Sequence, residues 1–183
     1  SELDEVAKRI KELIKESRRI NEEVERRIKK TIDEVRKINK EAAKTVDDLI
    51  KTIRDVVRRK GGETKEVREI VDEILERIRE LVKEVKRFTD EVHERNRELL
   101  RRVVEVSEEI LRRIEKLLRE ARERGVDEKK LRDLEEEVRR VVEESKDHLR
   151  KVYERSRKVV EESRKHLDEV LTRVDKVVKD IRT

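Results

Sequence analysis

The sequence predicts an all-α protein: an elongated, nearly untwisted, antiparallel three-helix bundle running up, down and up over residues 1–183. Three observations carry that expectation. Apolar residues recur at helical spacing. Only three glycines and no proline interrupt the chain. The glycine-marked breaks are short, and short connections between long helices imply antiparallel neighbours.

The first helix is expected over about residues 2–60. It opens on Ser1-Glu2-Leu3-Asp4, a capping-box-like start. Gly61 then stands where a helix needs a left-handed C-cap residue. The second helix is expected over about 64–124, with Thr64 as N-cap and Gly125 as its stop. The third spans about 128–182. Asp127 caps it, and Val126 is placed to staple onto Leu131. Helices of this length extend about 80–90 Å at about 1.5 Å per residue, so a single rod-like domain is expected.

Composition alone would suggest disorder, because charged residues make up 55% of the chain and hydrophobic ones 33%. The order of the apolar residues overrides it. In the second helix a seam runs from Val67 to Ala121 through Ile70, Leu81, Phe88, Leu99 and Leu117. It covers 54 residues in 15 steps, or 3.6 per step. That is the period of a straight helix, between the 3.5 and 3.67 of left- and right-handed supercoils. The third helix repeats literally. Val141-Val142-Glu143-Glu144-Ser145 returns 18 residues on as Val159-Val160-Glu161-Glu162-Ser163. In the first helix Ile20-Asn21 returns as Ile38-Asn39. A second flank is also apolar there, at Ala7, Ile14, Ile32, Ala43, Ile50 and Val57, which gives the width a bundle helix requires.

The absences narrow the function classes. Without Cys there is no disulfide framework, thiolate zinc site or thiol nucleophile. No apolar stretch approaches the roughly 18 residues of a membrane span. The N-terminus reads as amphipathic helix, not signal peptide, and the missing initiator Met is expected of a processed or trimmed chain. A net charge of +5 comes from 53 basic and 48 acidic residues, interleaved as on a solvated helix surface. Nucleic-acid binding would need a basic cluster or stacking aromatics. Neither nucleic acid nor membrane is an expected partner.

Polar residues interrupt the seams, and burying one costs free energy unless it finds partners. At equal rise, residues level in the first two helices have numbers summing to roughly 124, and in the last two to roughly 252. This rule gathers the interruptions into three layers. The lower holds Ser17, Asn21, Ser107, Ser145 and His148. The middle holds Thr31, His93, Asn96 and Ser156. The upper holds Asn39, Thr89, Ser163 and His166. Three buried hydrogen-bond networks are expected, because a slipped helix would leave such groups unpaired.

The histidines have three readings. They are neutral members of satisfied networks, or a pH switch, since imidazole titrates near pH 6.5 and loses its acceptor on protonation. The third reading, a metal site, needs three or four converging ligands. The layer rule separates them: His148 and His166 alone lie about 27 Å apart along a helix. Metal and cofactor sites are therefore not expected. Ser163 with His166, and Ser145 with His148, lack the acid, oxyanion hole and cleft that a triad requires, so an enzyme is not expected.

These features resemble de novo designed parametric helical bundles with buried hydrogen-bond networks. The carriers are the 18-residue repeat, the Val/Ile/Leu seams, the Glu/Lys/Arg exterior, the Gly-Gly and Gly-Val-Asp turns and the Ser/Thr/Asn/His interruptions. A natural spectrin-like repeat would show core Trp and shorter helices. The resemblance implies a stable scaffold with no catalytic residues to carry over, sometimes with pH-dependent switching. It implies no natural compartment, only a soluble protein expressed recombinantly in a cytoplasm. With no large apolar face left over, a monomer is expected. A homo-oligomer or a designed partner helix is the alternative.

Overall fold

The computed structural model describes residues 1–62 and 64–182, the side chain of Arg182 excepted. Glu63, in the first expected turn, and Thr183, at the end of the expected span, lie outside the described residues. The elements are α1 (Glu2–Lys60), α2 (Lys65–Glu123) and α3 (Glu128–Arg182). There is no strand among the described residues. The fold is a three-helix bundle.

Local chemistry explains each boundary. The Ser1 hydroxyl accepts from the Asp4 amide at 3.3 Å, and the Asp4 carboxylate lies 3.6 Å from the chain's first nitrogen. Thr64 caps α2 through a 3.3 Å bond from the Val67 amide. Asp127 caps α3 by accepting from the Lys129 amide at 3.0 Å. Val126 and Leu131 belong to one apolar cluster, as a staple across that cap requires. Gly125 sits at φ +78°, and the amides of Gly125 and Val126 return to the carbonyls of Arg122 and Ala121. This is the paired closure of a Schellman motif. Gly61, at φ +82°, closes α1 with its amide donating to the Val57 carbonyl at 2.9 Å.

The two neighbouring glycines are therefore not equivalent. A Cβ on Gly61 would meet nothing within 4 Å, so its cost is purely backbone strain. Gly61→Ala is expected to destabilise by about 1–2 kcal/mol. Gly62 lacks the positive φ, and a Cβ there makes an ordinary 3.5 Å contact with Val57. Gly62→Ala is expected to be neutral, or stabilising by about 0.4–1 kcal/mol. Denaturant melts of the two variants check the contrast.

The chain divides into two compact units. The first comprises Ser1–Lys30 with Arg95–Ser156, and the second Thr31–Glu94 with Arg157–Thr183. No glycine or proline marks these boundaries, which fall inside helices. The first unit has a core around Ile10, Ile114, Leu118 and Leu131. The second has one around Val46, Ile53, Ile78 and Val174.

Paired side chains give the relative directions of the helices within each unit. In the second, Thr89 meets Ser163, numbers that sum to 252, as antiparallel α2 and α3 require. Ser163 meets Asn39 and Arg173 meets Asp47, offsets of 124 and 126, as parallel α1 and α3 require. In the first unit Asn96 meets Ser156, again summing to 252, and His148 meets Glu25 at an offset of 123.

One part of the expected seam is corrected. Ile70, Leu81, Phe88, Leu99 and Leu117 of α2 are only half-buried. Their successors Val71, Val82, Thr89, Leu100 and Leu118 are buried instead. Adjacent residues differ by about 100° around a helix. Where both members of a pair suit the stripe, the direction of the bundle centre decides between them. The expected second flank of α1 shifts likewise: Ile14, Ile32 and Ile50 are buried core, while Ala7, Ala43 and Val57 are half-buried.

Candidate functional site: the buried polar side chains

In the second unit, three polar side chains from three helices meet in the apolar interior. Asn39, Thr89 and Ser163 are all buried, Thr89 completely. The Ser163 hydroxyl donates to Asn39 Oδ1 at 2.9 Å. Asn39 Nδ2 donates to the Val35 carbonyl at 2.8 Å, and the Thr89 hydroxyl to the Val85 carbonyl at 2.8 Å. The Thr89 and Ser163 oxygens stand 3.5 Å apart. A hydroxyl has one proton, and both protons are engaged in the shorter bonds. The Thr89–Ser163 approach is therefore the weakest link of the three.

His166, expected in this group, is exposed. It precedes Leu167, which is 1% exposed and takes the inward position. His148 repeats the pattern before Leu149, which is 5% exposed. The reason is the angle of about 100° between neighbours on a helix: the leucine claims the core and turns the imidazole outward. The expectation of buried imidazoles at these two positions is corrected.

The other expected groups divide between the units. Asn96 and Ser156 are buried in the first unit, with Asn96 Nδ2 donating to Ser156 Oγ at 3.2 Å. Thr31 and His93 are half-buried in the second. Of the lower group, Ser17, Ser107 and Ser145 are half-buried and line one cavity of about 40 Å³, in company with Ile14, Ile110 and Leu149. A water needs roughly 10–15 Å³ on this measure, so the space suits a few waters bonded to hydroxyls. Asn21, one turn beyond Ser17, is buried, and its Oδ1 has no hydrogen-bond partner.

His148 takes a different partner. Its Nε2 lies 2.5 Å from Glu25 Oε2, on a side chain 19% exposed, and Lys29 reaches the other carboxylate oxygen at 3.1 Å. Glu25 escaped the sequence reading, because its register with α3 becomes visible only once Asn39 is seen to meet Ser163. The hydrogen bond with His148, followed by that from Lys29, holds the Glu25 carboxyl below the usual range, against the opposing effect of burial. A carboxyl lowered in the fold stabilises above its unfolded pKa, and that contribution is lost as the pH falls through the folded value. The melting difference between the wild type and Glu25→Gln is therefore expected to be full at neutral pH. It should shrink once the pH drops below about 4.3. A difference unchanged down to strongly acid pH would exclude this pair as the source.

Among the described residues no three His, Asp or Glu side chains converge as a metal would need. No described helix is long and apolar enough to cross a membrane. No protein-family model matches the chain, and no curated protein matches it. A solved structure described as "Computationally designed three helix bundle" is similar over 98% of this chain and 85% of its own length, with a TM-score of 0.51 and 20% identity. At that identity the likeness establishes the fold, a three-helix bundle, and nothing finer.

Proposed function

We propose that this chain is a designed structural scaffold whose helix register is keyed by buried polar side chains. The observation that carries the reading is the Asn39–Ser163–Thr89 cluster, in which each helix contributes one polar group to an apolar interior. A slip of one helix would separate these groups and bury them unpaired. The 18-residue literal repeats and the narrow residue alphabet support a designed origin. Likeness to a designed three-helix bundle supports it as well.

The reading assigns no catalysis. Ser163 spends its proton on Asn39, while His166 stands exposed three positions on. The Glu25 carboxyl, held low by the hydrogen bond from His148 and then by that from Lys29, contributes to an acid response.

Light scattering combined with thermal melting tests the scaffold reading. The expected mass is 22.2 kDa, with a melting temperature independent of protein concentration and of chelators. A multiple of that mass, or a melting point that rises with concentration, would show that folding needs a second subunit.

A further inference from the structure

The polar cluster of the second unit has a copy 18 residues away on every helix. Asn39, Thr89 and Ser163 correspond to Asn21, Ser107 and Ser145, all in the first unit. The register is the same: Ser107 and Ser145 again sum to 252, and Ser145 and Asn21 again differ by 124. The bonds are not the same. Ser163 donates to Asn39 Oδ1 at 2.9 Å, whereas Asn21, only 5% exposed, has no hydrogen-bond partner on its Oδ1. A buried carbonyl oxygen without a donor is costly, so it marks a place where a donor belongs.

The same comparison locates space beside it. Ser17 and Ser107 stand where the second unit has Val35 and Thr89, each one heavy atom larger. Ser17, Ser107 and Ser145 line a cavity of about 40 Å³. Since Ser163 reaches Asn39 across the same offset, Asn21 borders that cavity on the side of Ser145. Apart from the hydroxyls the inner wall is apolar, from Ile14, Ile110, Ile114 and Leu149. An apolar cavity of about 150 Å³ accommodates benzene, and a water needs about 10–15 Å³. The space here therefore holds about three heavy atoms and no ring. Several waters match it poorly, because each seeks about three hydrogen bonds and most of the wall offers none.

We propose that this cavity binds a short-chain alcohol of the size of ethanol. Its oxygen enters between Ser145 and Asn21, the link that Ser163 and Asn39 make directly. The Ser145 hydroxyl donates to the alcohol oxygen, and the alcohol O–H donates to Asn21 Oδ1, which engages the one proton of each hydroxyl. The carbons then lie against the isoleucine and leucine side chains, where removal from water is favourable. With so few heavy atoms the affinity is millimolar at best. The scaffold reading concerns the fold without a ligand, and the proposal does not rest on it.

The test is methyl NMR of the full chain labelled at Ile and Leu, titrated with ethanol to about 200 mM, well above a millimolar dissociation constant. Ile14 and Leu149 should shift along a saturating curve, while their counterparts Ile32 and Leu167 in the second unit should change only linearly. Acetonitrile is of the same size but has no proton to donate. It should bind at least tenfold more weakly, and phenol should give no saturation. Ser107→Thr, which puts back the methyl group that Thr89 carries, should abolish saturation by ethanol and leave the circular dichroism melt unchanged or raised. Asn21→Leu should remove the advantage of ethanol over acetonitrile. Linear shifts at Ile14 and Leu149, equal affinity for ethanol and acetonitrile, or unaltered binding to Ser107→Thr overturns the proposal. So does a nuclear Overhauser effect from water to the Ile14 methyls that persists at the end of the titration, because the occupant is then water alone.

Discussion

Ser163→Ala is expected to destabilise the protein by about 1–3 kcal/mol, far more than loss of a small hydroxyl on a helix surface. The reason is what remains behind. Ser163 is the donor to Asn39 Oδ1 at 2.9 Å, and Asn39 is buried among apolar side chains. Removing the hydroxyl leaves that oxygen desolvated without a donor. The reverse truncation, Asn39→Leu, should cost less than an orphaned amide would. The freed Ser163 hydroxyl can turn back to a carbonyl one turn earlier on its own helix, as Thr89 already does at 2.8 Å with Val85. The double variant Asn39→Leu/Ser163→Ala should then be more stable than the sum of the single losses predicts, with a coupling of about 0.5–3 kcal/mol. Urea midpoints of the four proteins measure this. A cost for Ser163→Ala below about 0.5 kcal/mol, the range of an ordinary surface change, would sink the idea that these groups key the register.

What the sequence made legible was whatever repeats along one helix. The 3.6-residue period, the glycine stops and the caps at Thr64 and Asp127 are local, and each follows from spacing and backbone chemistry. The height rule also worked across the second turn, bringing Thr89 to Ser163 and Asn96 to Ser156. It worked because both partners flank a short loop whose centre is well defined. What stayed hidden was rotation about the helix axis. At Leu99-Leu100 and Leu117-Leu118 both residues are apolar, so periodicity alone gives no way to tell core from flank. Phe88-Thr89 misleads outright: the larger, more apolar residue is half-buried and the threonine is buried. The same ambiguity put Ile70 and Leu81 in the expected seam in place of Val71 and Val82. It also placed His148 and His166 inside. The partition into two units has no sequence mark at all, since it cuts continuous helices.

Rotation can be tested at one pair of neighbours. Leu167 is 1% exposed and packs in a cluster with Ala42, Val82 and Val85 of the second unit. Leu167→Ala removes a filled volume from that cluster and is expected to cost about 2–5 kcal/mol. For a chain of this size the melting temperature should fall by about 2–4 °C for each kcal/mol lost. His166→Ala, one residue earlier on the exposed face, should change stability by less than about 0.5 kcal/mol. The contrast is sharp because the alternative predicts the opposite ranking for the histidine. An imidazole buried within a polar network would leave unpaired groups behind on truncation, at about 1–3 kcal/mol. A substantial loss from His166→Ala would thus turn α3 by about 100° relative to the arrangement described. Such a turn would carry Leu167 away from Val82 and Val85 and break the bond between Ser163 and Asn39. The two stability changes therefore fix the orientation of α3 in this unit, and on that orientation the polar cluster depends.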